Sequence, residues 1–166
     1  MATCSVVPAG LERLDALGPL WQALQAHHAA VAPHLGPVRP PEQSWVRRRQ
    51  LYQAWLEAGE AFMLVAEEDG DPIGYAFVHL GRGSATWATA DQVAELETLS
   101  VLPTARGRGV GGALMAAMLA ELRHRNVPEW QVGVVTTNRD AIRFYERYGV
   151  VPTMVSFLGR VPDGQL

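Results

Sequence analysis

Residues 99–114, LSVLPTARGRGVGGAL, run an apolar strand end into a glycine-rich turn and then into the first turn of an apolar helix. That order makes an anion site. A helix N-terminus leaves backbone N–H groups unpaired and carries partial positive charge, so it favours phosphate. Gly107, Gly109, Gly111 and Gly112 let the backbone come close to a ligand, and Arg106 and Arg108 add full charges beside those donors. A tight strand-to-helix connection without a ligand is the plain alternative.

Composition narrows the classes. The 166 residues are enough for one domain, 1–166, with a substantial core. With 48% apolar and 19% charged residues and a formal net charge of -3, the chain lacks the basic balance of a nucleic-acid surface. Its longest apolar run, Ala113–Ala120, is too short to span a membrane. The first residues lack the basic region and apolar stretch of a secretory signal, so the cytoplasm is the expected compartment. Cys4 stands alone, which excludes an internal disulfide and a Cys-rich metal site. All fourteen basic residues are arginine. Without lysine there is no P-loop GK[ST] and no pyridoxal Schiff base, and no G-x-S-x-G is present for a serine hydrolase.

Periodicity predicts strand, two helices, three strands, helix, strand, helix, strand. The expected elements are a strand at 5–7, a helix at 11–30, a Pro-rich loop at 32–41, a helix at 44–58 and strands at 61–66, 73–80 and 93–101. A helix at 109–125, a strand at 130–136, a helix at 140–148 and a last strand at 153–158 complete the chain. Three consecutive central strands imply a mixed sheet. Leu96 and Leu99 lie three apart, which strict alternation would put on opposite faces. A bulge between them, or a sheet covered on both faces, accounts for the spacing.

Gly107, Gly109 and Gly112 also fit G-x-G-x-x-G. A dinucleotide fold, however, needs an acid at the end of the next strand, about 20 residues on. Here that strand ends Val134-Val135-Thr136, and only 54 residues follow Gly112. Arg106-Gly107-Arg108-Gly109-Val110-Gly111 instead resembles the [QR]-x-x-G-x-[GA] coenzyme A signature of the GNAT acetyltransferase superfamily. Downstream, residues 138–149, NRDAIRFYERYG, are similar to that family's N-x-x-A-x-x-F-Y-x-x-x-G. The family's usual Gly-Phe is Gly149-Val150 here, a difference in packing rather than chemistry.

The resemblance implies an α+β fold: a mostly antiparallel, twisted sheet of about six to seven strands flanked by four helices. It implies acetyl-CoA as cosubstrate, with pyrophosphate on the backbone from Arg106 through Val110 to Gly111, and Gly112 beside it. The side chains of Arg106 and Arg108 either reach phosphate or are merely solvated. The pantetheine arm would pair along Leu99, Ser100 and Val101, where a backbone N–H can polarise the thioester carbonyl. Asn138 would contact the arm or simply cap the following helix, with Ala141 and Phe144 beside it. Tyr145 would protonate the departing thiolate; otherwise it is a core tyrosine. Glu97 first, and Glu95 second, would accept the amine proton, or serve as ion-paired strand carboxylates.

In such a protein the first two helices and the loop before the fourth strand cover the acceptor. That marks Trp21, His28, Trp45 and Trp87, although a core histidine and core tryptophans explain the first three as well. His27, His28 and His34 lack an acidic or Cys partner at ligand spacing, so no metal is expected. The expected activity is N-acetylation of a primary amine on a small molecule or peptide N-terminus, by direct attack in a ternary complex. The mild negative charge leans toward a cationic acceptor. An acyl-CoA-binding sensor without catalysis is the other class. The resemblance allows a homodimer, on which the residues themselves are silent.

Overall fold

The computed structural model describes residues 4–161. Five strands form one open sheet in chain order: β1 (Ser5–Ala9), β2 (Ala61–Glu68), β3 (Asp71–Arg82), β4 (Gln92–Val101) and β5 (Glu129–Gln131). The first four pair antiparallel, and β5 joins β4 in parallel. Between β2 and β3, Asp69 and Gly70 both take positive φ, the two-residue hairpin geometry that suits strand twist.

Helices cover both faces. On one side lie α1 (Gly18–Val31) and α2 (Pro41–Glu57); on the other lie α3 (Val110–His124) and α4 (Arg139–Glu146). Alternation in β2 and β3 serves both cores. Met63, Val65, Tyr75 and Phe77 meet Leu14, Leu17, Leu20 and Tyr52, while Leu64, Ala76 and Val78 meet the α3 side. Helix α3 buries Val110, Leu114, Met115, Met118 and Leu122 there. Each such side chain stabilises the fold by roughly 1.5–3 kcal/mol.

Several expectations need correction. The expected helix at 11–30 is a 3-10 helix, Leu11–Leu17, followed by α1. Pro19 has no N–H to give and its ring collides with the carbonyl four residues back, so a continuous α-helix cannot cross it. Helix α2 starts earlier than expected, at Pro41, because proline costs nothing at the first helical position. The strand at 130–136 shrinks to Glu129–Gln131, and no strand forms at 153–158 among the described residues. The sheet therefore has five strands rather than six to seven. Met154, Val155, Phe157 and Leu158 carry the composition of a strand but stand exposed without a neighbour to pair with.

Under α2 a hydroxyl cluster joins the layers. The Tyr52 ring stacks on Phe77 at 3.7 Å, and its hydroxyl contacts those of Thr98 and, at 3.4 Å, Tyr75. Burial pushes the Tyr52 and Tyr75 phenols up, so both stay protonated. Tyr52→Phe removes the shared partner and should cost about 1–2 kcal/mol of stability in urea unfolding. An unchanged midpoint would show the cluster to be energetically idle.

Candidate active site

The site begins with an extra residue in β4. Phe77 pairs with Thr98 and Val78 with Leu96, so Glu97 has no opposite number. This bulge changes which residues face which way. Before it, Ala94 and Leu96 face the α3 core; after it, Leu99 and Val101 do. Glu97 and Thr98 both turn toward α2, where they meet Arg48 and Tyr52. The sheet is covered on both faces, but it is the bulge that accounts for the three-residue spacing, because it returns Leu99 to the face of Leu96.

Beyond the bulge β4 has an open edge. Its pairing with β5 ends at Glu95 and Gln131, so the stretch through Leu99, Ser100 and Val101 has no strand on that side among the described residues. The Ser100 hydroxyl is committed to the Leu20 carbonyl of α1 at 2.9 Å.

At the end of β4 the chain passes through a short 3-10 turn, Pro103–Ala105, and reaches the glycines. Gly107 and Gly109 have φ of 72° and 82°, the left-handed region that glycine enters without penalty. Six successive N–H groups, from Gly107 to Gly112, find no acceptor among the described residues. They fit a phosphate-bearing ligand. The Arg106 side chain donates from Nε to the Val101 carbonyl at 3.2 Å, so its charge stays beside the turn. Arg108 is occupied: its guanidinium pairs with Glu68. Gly111 lies under the Phe144 ring, which joins the turn to α4.

Asn138 is buried and caps α4, its side chain accepting from the Ala141 N–H at 3.3 Å. Tyr145 is 8% exposed and lies edge-on to Phe144, with Ala141 in the same cluster. Its hydroxyl has no protein partner among the described residues, yet it is not sealed from solvent. Burial pushes its pKa up to about 12, so it holds its proton at any ordinary pH.

On the opposite face of β4, Glu97 is half-buried and 3.3 Å from Arg48. Burial raises its pKa above the usual glutamate value; Arg48 opposes the rise and Glu95 adds to it. Glu95 shares that face, opposite His79 in register, and accepts from Gln131 at 2.5 Å. The Arg48 guanidinium lies over the Trp21 ring at 4.6 Å and the Tyr52 ring at 5.5 Å.

Among the expected acceptor residues, Trp21 therefore meets this group, its indole N–H held by Ser44 at 3.0 Å. Trp45 packs edge-on to Tyr52. His28 is half-buried, its pKa lowered by burial and by His27 and Arg48. Trp87 is 72% exposed in the loop after β3 and joins none of them. Arg48 does not stand out in the sequence because it sits inside Arg47-Arg48-Arg49, which reads as a solvated face. The available signal is its spacing, three residues after Trp45 and four before Tyr52, on the apolar stripe of α2. Among the described residues no His, Cys, Asp or Glu group could hold a metal ion, and no helix is long and apolar enough to cross a membrane.

Residues 21–150 match the model of the Acetyltransferase (GNAT) family. A mycothiol acetyltransferase of Acidothermus cellulolyticus is 32% identical over 139 residues, covering 78% of this chain and 40% of its own. The chain thus spans under half the length of that curated relative. A GCN5-related N-acetyltransferase from Ralstonia eutropha superposes with a TM-score of 0.76 at 20% identity, over 95% of this chain and 99% of that one. Aminoglycoside N-acetyltransferase AAC(6')-Iy, in complex with CoA, does so with 0.71 at 19%, over 97% and 96%. At those identities the two structures speak for the fold alone. The family match, which takes in the glycine turn, the β4 bulge and the α4 motif together, shows that this chain belongs to the GNAT family of acetyltransferases.

Proposed function

We propose that the chain works as one domain, an N-acetyltransferase that passes an acetyl group from acetyl-CoA directly to a primary amine of a small molecule or a peptide N-terminus. The observation that carries this reading is the convergence on β4 of an unpaired N–H cradle, an open strand edge and a half-buried carboxylate. The N–H groups of Gly107–Gly112, with Arg106, would hold the pyrophosphate. The edge of β4 from Leu99 to Val101 would pair with the pantetheine arm, between Asn138 and Phe144. Acetyl-CoA, when bound there, supplies an activated acyl group.

This chain's own residues then handle protons. Glu97, on the α2 face, takes a proton from the incoming ammonium so that the nitrogen can attack; Glu95 is the second candidate. Tyr145, on the α4 face, donates to the departing sulfur. Cys4 lies outside this arrangement, so amine and thioester meet directly rather than through an acyl-enzyme.

The test is thiol release from acetyl-CoA across a broad amine panel. Turnover supports the reading. A rise in melting temperature with acetyl-CoA but no turnover with any amine identifies a binding module instead. Gly109→Ala gives a separate check on the cradle. Forcing a β-carbon into left-handed backbone should cost about 1–2 kcal/mol at the start of α3 and weaken acetyl-CoA binding in calorimetry. Unchanged affinity would place the pyrophosphate elsewhere.

A further inference from the structure

Arg48 is an unusual neighbour for a residue that must accept a proton from an amine. Its guanidinium touches Glu97 through Nη1 alone, at 3.3 Å, a long contact for a charged pair. None of its other N–H groups has a protein acceptor among the described residues. The guanidinium sits over the rings of Trp21 and Tyr52, and Tyr52 is itself stacked on Phe77. Trp21 is pinned by Ser44. A planar cation with spare donors, seated over two rings, is prepared for a planar anion. The carboxylate of Glu97 takes up only one edge of it.

A molecule that engages Glu97 through an ammonium group therefore brings its neighbouring atoms against Arg48. The partner that satisfies both charges at once is a zwitterion, positive toward Glu97 and negative toward Arg48. A plain amine would leave Arg48 without the fuller pairing its fork can make.

Resting on the acetyltransferase reading, we propose that Arg48 selects the acceptor by binding a carboxylate carried within a few bonds of the reacting amine, as in a free amino acid. The lean toward a cationic acceptor drawn from net charge does not describe this local site.

The experiment pairs amino acids of varied side chain with their carboxamides. Thermal shift in the presence of coenzyme A reads binding, and thiol release from acetyl-CoA reads turnover. In the wild type each acid should show a KM about tenfold or more below that of its amide, the scale of a charge-assisted pair. In Arg48→Met that ratio should fall to within about twofold, and Arg48→Lys, which keeps the charge without the fork, should fall between. The coenzyme-induced melting shift reports that both variants fold. Equal use of acids and amides by the wild type overturns the proposal, as does a ratio that survives Arg48→Met. Acids that bind but are never acetylated would instead overturn the catalytic reading and leave the recognition by Arg48 standing.

Discussion

Tyr145→Phe should lower turnover about a hundredfold while leaving acetyl-CoA affinity and stability nearly unchanged. The asymmetry follows from its surroundings. The ring is buried against Phe144 and the α3 core, and phenylalanine keeps that packing. The hydroxyl makes no protein hydrogen bond among the described residues, so its removal orphans nothing in the fold. What is lost is a proton donor that burial keeps protonated up to about pH 12. For the same reason, any alkaline fall in rate below about pH 10 should be the same in wild type and variant. Single-turnover thiol release checks the rate, and calorimetry checks the binding. A normal rate in Tyr145→Phe removes the residue from the mechanism.

Glu97→Gln should cost about 100- to 1,000-fold at neutral pH and erase the acidic limb of the rate profile. The sign follows from the raised pKa. A base works only when deprotonated, so the rate falls as pH drops through a pKa held above the usual glutamate value. Glutamine fills nearly the same volume and preserves the bulge, so loss of rate reports chemistry rather than folding. Because Arg48 counters the effect of burial on Glu97, Arg48→Met should move the limb to higher pH. If the limb persists in Glu97→Gln and disappears in Glu95→Gln, the base is Glu95.

Much of this arrangement is legible in the residues. The spacing of Leu96 and Leu99 signals an irregularity in β4, and Val110, Leu114, Met118 and Leu122 mark the buried side of α3 correctly. The glycine turn is legible because positive φ restricts residue choice so sharply. Where reading fails, tertiary context makes the decision. Val155, Phe157 and Leu158 favour a strand, but a strand also requires a neighbour.

Residues 132–136 read as a continuation of β5, yet pairing with β4 stops at Gln131. The bulge lies two residues beyond the last paired position, Glu95, and bends β4 where β5 would have followed it. Val132 and Val134 still pack against the α3 core without joining the sheet. Arg48 is hidden for a different reason. Three successive arginines look alike in sequence, and the rotation of α2, set by Trp45, Tyr52 and Trp55 on the second core, decides which of them faces Glu97.

The bulge at Glu97 also decides what substitution and deletion at this position each change. Glutamine there changes one functional group. Removing the residue would return β4 to strict alternation and leave the rest of the strand on the faces it already holds, because Phe77 pairs with Thr98 and Val78 with Leu96. Leu99 and Val101 would stay against the α3 core, and Thr98 and Ser100 would stay beside Tyr52 and Leu20. The extra residue is thus an insertion the sheet absorbs without losing phase, and a chain shortened there should keep both interiors while losing the carboxylate opposite Arg48.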